Sequence, residues 1–195
     1  MPGSPVNLPS NPDSYQVAEE LSARLEAAEC DYALGGAIAL GFWAEPRSTL
    51  DVDVTLYLPL DDPDGCMRML DQIGCEFDRL RIEETLKEHT FCQVRLLGLR
   101  LDVFLPMSPF YELAKARRRE VPLGNRQAYI WDAETLCVFK MMFFRRKDLV
   151  DIESILRSQG ATLDRAWIEN ALLELYGHRD PRINQWRELS VETPA

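Results

Sequence analysis

Asp51 and Asp53 stand one residue apart in the stretch Leu50 to Leu58. There apolar and polar residues alternate strictly, with Leu50, Val52, Val54 and Leu56 on one side and Asp51, Asp53, Thr55 and Tyr57 on the other. A period of two is the strand period, so both carboxylates fall on one face of a predicted strand, close enough to share a divalent cation. Carboxylate oxygens suit magnesium. The same pattern also fits the solvated outer face of an edge strand. A third carboxylate, Asp102, lies in Leu99 to Phe104, a segment otherwise apolar enough to be central in a sheet. Buried there, it needs a partner: a metal shared with Asp51 and Asp53, or a salt bridge to Arg95 or Arg100. Three carboxylates on two metal ions about 4 Å apart would suit in-line attack on a nucleotide phosphorus.

Gly35-Gly36 lies between a short predicted strand, Tyr32 to Leu34, and a compact predicted helix, Ala37 to Trp43, which Pro46 ends. Without Cβ atoms these residues let backbone amides approach a phosphate at the helix N-terminus. Taken alone, a Gly-Gly pair reads first as a tight strand-to-helix turn.

The elements that must hold these groups follow from capping and periodicity. Asp13 or Ser14 caps a first helix with Val17, Leu21 and Leu25 on one face. Pro63 to Ile73 reads as a helix and Cys75 to Arg81 as a strand or irregular segment. Phe91 to Leu97 and Leu99 to Leu105, joined around Gly98, read as a hairpin. Beyond Pro106 the pattern is helical: Ser108 caps a helix through Lys115, Asp132 another through Phe144, and Asp148 to Arg157 and Asp164 to Tyr176 follow. The expected class is α+β, a mixed sheet on helices followed by a helical C-terminal part. Its expected limits are a flexible tail over 1–12, an α/β core over 13–131 and the helical part over 132–195.

The 195 residues are enough to bury one core, and a composition 46% apolar and 28% charged is that of a globular chain. Acidic residues outnumber basic ones by 32 to 22, a net charge of −10, which opposes broad attraction to nucleic acid; a polyanionic partner needs a local basic patch. Lys115, Arg117, Arg118 and Arg119, with Arg145, Arg146 and Lys147, are the candidates, and a solvated helix face is the default explanation of each run. No apolar run is long enough to span a bilayer, and Met1 to Pro12 lacks the basic and apolar regions of a signal peptide, so the expected location is the cytosol, with no membrane partner. The five cysteines are scattered, with no C-x-x-C pair, and read as reduced, mostly buried thiols. His89 and Cys92 have the spacing of half a metal site without a second pair to complete it.

The run Gly35-Gly36, Ala37, Leu40, Arg47, Thr49, Asp51-Val52-Asp53 resembles the Gly-Gly … Arg-x-Thr-x-Asp-x-Asp signature of polymerase-β-type nucleotidyltransferases. The form resembled is that of small bacterial members, including the abortive-infection (type IV) toxin branch. Leu136, Lys140, Arg145, Lys147-Asp148, Asp151 and Ile152 are similar to a second element of that branch. The two motifs frame Tyr32 to Leu156.

The resemblance implies a nucleotidyltransferase-type sheet, a nucleoside triphosphate held at the Gly-Gly turn, and Mg2+ or Mn2+ chelated by Asp51 and Asp53. It also implies Asp102 as third ligand and base, and Lys140 reaching the triphosphate, where its charge would offset that developing on phosphate. Arg47, Thr49 and Asp148 complete the expected nucleotide-binding set. Asp151 sits near a helix start, where the dipole favours a carboxylate for structural reasons. The superfamily's usual Gly-Ser is replaced by Gly36-Ala37, which leaves the triphosphate to amides and basic side chains, with Arg47 the candidate helper. The implied activity is nucleotidyl transfer to an acceptor, RNA such as a tRNA end or a protein hydroxyl ahead of an antibiotic, in a toxin with a cognate antitoxin. A silent protein that keeps the fold and binds nucleotide or a partner chain is the alternative, and a hydrolase using the same metals a third.

Overall fold

Asp13 opens the first helix as expected: its carboxylate accepts from the Gln16 amide while the Gln16 side chain accepts from the Asp13 amide. The computed structural model describes residues 11–192, so the expected tail over 1–12 falls almost wholly outside it. The chain divides into two units, residues up to 38 with 48–130, and residues 39–47 with those from 131 onward.

The first unit carries the sheet. Its strands are β1 (Tyr32–Leu34), β2 (Asp51–Leu56), β3 (Phe91–Leu96), β4 (Leu99–Phe104), β5 (Arg119–Leu123) and β6 (Arg126–Ile130), in the spatial order β3-β4-β2-β1-β6-β5. The sheet is mixed: β2 runs parallel to β4 and β1 to β6, and the other neighbours are antiparallel. Helix α1 (Ser14–Ala27) packs on β2, β5 and β6, burying Val17, Leu21 and Leu25. Helix α2 (Gly36–Trp43) follows β1 directly, and α3 (Pro63–Gln72) is capped by Asp62.

Three stretches depart from the sequence reading. Cys75 to Arg81 holds a single bridge, Glu76 to Arg95, and then enters α4 (Arg79–Glu88), capped by Asp78 with Ile82 and Leu86 buried four residues apart. Helix α5 (Phe110–Arg117) starts without a side-chain cap, Pro109 rather than Ser108 preceding it. Arg119 to Ile130, read as part of a helical region, is the β5–β6 hairpin, closed by the two-residue loop Gly124-Asn125 with Gly124 at φ +61°. Glu19 of α1 fixes that loop: its carboxylate, largely buried, accepts from the Asn125 amide, and a Cβ at Gly124 would collide with it.

The second unit is helical: α6 (Ala133–Phe143), α7 (Arg146–Gln159), α8 (Arg165–Tyr176) and α9 (Pro181–Glu192), with α6 packed on α7 and α8, and α8 on α9. Asp132 caps α6 by accepting from the Thr135 amide. The end of α2 is pinned within this unit, the Trp43 indole donating to the Trp131 carbonyl at 2.7 Å and the Gln159 amide to the Trp43 carbonyl at 2.6 Å.

Candidate active site

Parallel pairing of β2 with β4 sets Asp51 opposite Arg100 and Asp53 opposite Asp102. Val52 and Val54 on β2, with Leu101 and Val103 on β4, turn the other way and are fully buried, which fixes the register and leaves all three carboxylates on one face. The three carboxylates are neither core nor open surface: the Asp51 and Asp102 side chains keep 20% and 15% exposure. Neighbouring strands lie about 4.8 Å apart, so the three negative charges are crowded and require a cation or donors.

The chain supplies both. The Arg100 guanidinium bridges the cluster, one NH2 donating to Asp51 and its Nε 3.2 Å from an Asp102 oxygen. The Thr49 hydroxyl donates to the second Asp51 oxygen, and the Gln93 amide, on β3, donates to Asp102 at 3.1 Å. Asp102 is thus in register with Asp53, as a shared site requires, and also carries the salt bridge to Arg100 that the sequence left open. Among the described residues no three His, Cys, Asp or Glu side chains are gathered as a metal ion would hold them. A guanidinium lies among the carboxylates instead. Their oxygen chemistry and common face nonetheless fit a hard divalent cation once Arg100 is displaced.

The Gly-Gly turn belongs to the same cluster. The Gly35 amide donates to the Asp53 carbonyl at 2.9 Å, which ties the end of β1 to β2 and commits that amide to the sheet. Gly36 has φ +53°, and a Cβ there would occupy the position of the Asp53 carboxylate. Glycine is required at position 36 both by backbone and by space.

Within the second unit, residues from the two separated sequence motifs meet on Asp151. The Arg47 guanidinium grips it with Nε and an NH2 both at 2.9 Å, and Lys140 Nζ lies 2.6 Å from its Oδ2. Lys140 and Asp151 are each about 95% buried. Burial alone would raise the Asp151 carboxyl; hydrogen bonds from Arg47 and Lys140, with their charge, outweigh it and hold the group below its ordinary range. Asp151 is therefore a buried counter-ion in the body of α7, not a carboxylate placed for the helix dipole. Asp148, also buried, accepts from the Arg145 amide and guanidinium and closes the start of α7.

No protein-family model matches the chain, and no curated protein does. Solved structures match it. ANT(2'')-Ia in complex with adenylyl-2''-tobramycin superposes at a TM-score of 0.57 over 83% of this chain and 98% of that one, with 12% identity. The solution structure of the antibiotic-resistance factor ANT(2'')-Ia gives 0.53 over 85% and 97%, with 14% identity. An antigenic nucleotidyltransferase-like protein from Paracoccidioides brasiliensis gives 0.50 over 90% and 94%, with 18% identity. The fold is that of the nucleotidyltransferases.

In this nucleotidyltransferase fold the predicted site residues form two groups. Asp51, Asp53, Asp102, Thr49, Gly35 and Gly36 lie together in the sheet unit, whereas Arg47, Lys140 and Asp148 belong to the helical unit. Sequence reasoning named Arg100 as a partner of Asp102 but missed its reach to Asp51, and it missed Gln93 as a donor. Both were readable in principle: Arg100 precedes Asp102 by two, hence on its face, and Gln93 is its hairpin partner across a loop of Leu97 and Gly98. Three members of the basic runs are engaged at home, while Arg119, Arg146 and Lys147 are exposed. Lys115 and Arg118 both pair with Asp31 and lie over the Tyr57 and Tyr129 rings, and Arg145 pairs with Asp148. All five cysteines are free and buried, and burial pushes Cys30 and Cys66 up to about 11 and Cys75 and Cys92 up to about 12. No helix among the described residues is long and apolar enough to cross a membrane.

Proposed function

We propose that this protein transfers a nucleoside monophosphate from a nucleoside triphosphate to a hydroxyl acceptor, with Asp51, Asp53 and Asp102 holding Mg2+ or Mn2+. The observation that supports it is the β2–β4 register, which gathers three carboxylates beside a glycine turn at a helix start. When bound, the metal would neutralise charge on the phosphates. The chain's own residues do the rest. The first amides of a helix have no intrahelical partners, so those at the start of α2 suit the triphosphate. Gly36 leaves room for the Asp53 carboxylate against that turn. Asp102 is the group assigned to take the acceptor's proton, oriented by Gln93.

Of the two cations that the sequence resemblance assigns to the triphosphate, Arg47 is the more exposed. Its side chain keeps 38% exposure, and its Nε and one NH2 donate to Asp151. Lys140, deeply buried on the same carboxylate, serves as the brace that holds Asp151 ionised beneath Arg47. Asp148 serves α7 as a cap rather than the nucleotide.

The acceptor we favour is a hydroxyl on a neutral or cationic small molecule. A net charge of −10, with Lys115, Arg118 and Arg145 in internal pairs, works against an RNA acceptor, and the RNA, protein and toxin readings rest on the sequence resemblance alone. The ANT(2'')-Ia complex holds an adenylylated antibiotic, which agrees with this choice.

The silent alternative has an observation of its own: Asp51 is paired with an arginine. Calorimetric titration of ATP, CTP, GTP and UTP with Mg2+ into wild type and Asp51→Asn/Asp53→Asn separates the two. Selective, metal-dependent binding lost in the double variant supports transfer. Binding unchanged by the variant, or none, leaves a silent fold.

A further inference from the structure

Arg100 is the cation already present among the carboxylates. Its guanidinium spans Asp51 and Asp102, side chains of two different strands, while Thr49 donates to the other Asp51 oxygen and Gln93 shares Asp102 Oδ1 with Arg100. Its positive charge relieves repulsion among the three negative ones. A divalent ion arriving alone must break both Arg100 pairs and leave the guanidinium beside a newly cationic centre, where like charges oppose each other. A metal arriving on a triphosphate brings the anion that the displaced guanidinium can take, and a planar fork of donors suits phosphate as well as carboxylate. With 47% of its side chain exposed, Arg100 has space to turn outward without disturbing the buried Leu101 and Val103 beside it.

We propose that Arg100 is a built-in counter-ion that makes the site select a metal–triphosphate complex over the free metal: it closes the carboxylates against bare Mg2+ and then becomes a ligand of the triphosphate. This rests on the nucleotidyl-transfer reading and adds to it a triphosphate-binding residue and a coupling between metal and triphosphate. The role is one of coupling: each of metal and triphosphate strengthens binding of the other through one side chain that either sits on carboxylate or on phosphate.

The test uses Mn2+ alone, inorganic triphosphate alone, and the two together, titrated calorimetrically into the full chain and into Arg100→Gln, with circular dichroism to establish that the variant is folded. Wild type should bind Mn2+ weakly alone and about tenfold or more tightly with triphosphate. Arg100→Gln should bind Mn2+ alone at least about fivefold more tightly than wild type and lose most of the coupling. Arg100→Lys, which keeps the charge but cannot span two carboxylates, should fall between them. Mn2+ binding and coupling left unchanged by Arg100→Gln overturn this inference and spare the nucleotidyl-transfer reading. No binding of Mn2+ or triphosphate by any of the three proteins overturns both.

Discussion

Asp53 of β2 and Asp102 of β4 are direct register partners in a parallel pair, and Arg100, two residues before Asp102, reaches across to Asp51. The geometry makes one unit of four side chains from segments about fifty positions apart. Asp53→Asn removes one negative charge from the unit and a ligand from the proposed metal site, while Val52 and Val54 hold β2 in place. The expected result is loss of metal-dependent nucleotide binding by at least about tenfold with the unfolding midpoint nearly unchanged or raised, since crowded carboxylates repel. Calorimetry and urea unfolding of the same sample check it.

Gly36→Ala should fail for two reasons that add. A left-handed backbone costs a residue with a Cβ about 1–2 kcal/mol, and that Cβ would collide with the Asp53 carboxylate. Lower stability by at least about 1 kcal/mol is expected, together with loss of nucleotide binding, because Asp53 is displaced. Gly98→Ala is the control: it also has positive φ, but a Cβ there meets nothing within 4 Å, so it should lose stability and keep binding.

Asp151→Asn leaves Lys140 buried without its counter-charge. Breaking one side of a buried ion pair costs about 3–5 kcal/mol, so this variant should unfold at markedly lower urea. Lys140→Met, which removes the buried charge and keeps the volume, should cost less than Asp151→Asn. Equal losses in the two would mean that charge burial is not the cause.

The lowered Asp151 carboxyl gives a sign for acid stability. Its folded value lies below the ordinary 3.8, so it contributes stability in full above that pH and loses it as pH falls through the folded value. Wild type should therefore lose more stability than Asp151→Asn between about pH 4 and pH 2, and the gap between their urea midpoints should narrow over that range.

Thiol accessibility provides a test of the packing. All five cysteines are buried, and burial raises every thiol above its ordinary value. Ellman's reagent at pH 8 should label the native protein slowly and all five sites at once in denaturant. Rapid labelling of one thiol in the native state would show that its surroundings open.

Local pattern made the carboxylate strand, the hairpin around Gly98, and helices α1 and α6 legible, because each depends on residues close in sequence: alternation in Asp51 to Leu56, a cap at Asp13, a cap at Asp132. The β5–β6 hairpin was lost for a reason of the same kind. Lys115 to Arg119 favours a helix, Pro122 argues against a strand, and the loop at Gly124 is held by Glu19, more than a hundred residues away. The α4 helix was passed over although Asp78, Ile82 and Leu86 spelled it locally.

What the sequence by itself determined is which residue types could do chemistry and that Asp51 and Asp53 share a face, since a strand's period of two leaves no choice. Only the tertiary structure decided that Asp102 pairs with Asp53, that Arg100 bridges the carboxylates, and that Arg47 and Lys140 meet on Asp151. Those relations join segments far apart in the chain, and strand register and helix packing, set by the burial of Val52, Leu101, Ile152 and their neighbours, choose among pairings that the order of residues leaves open.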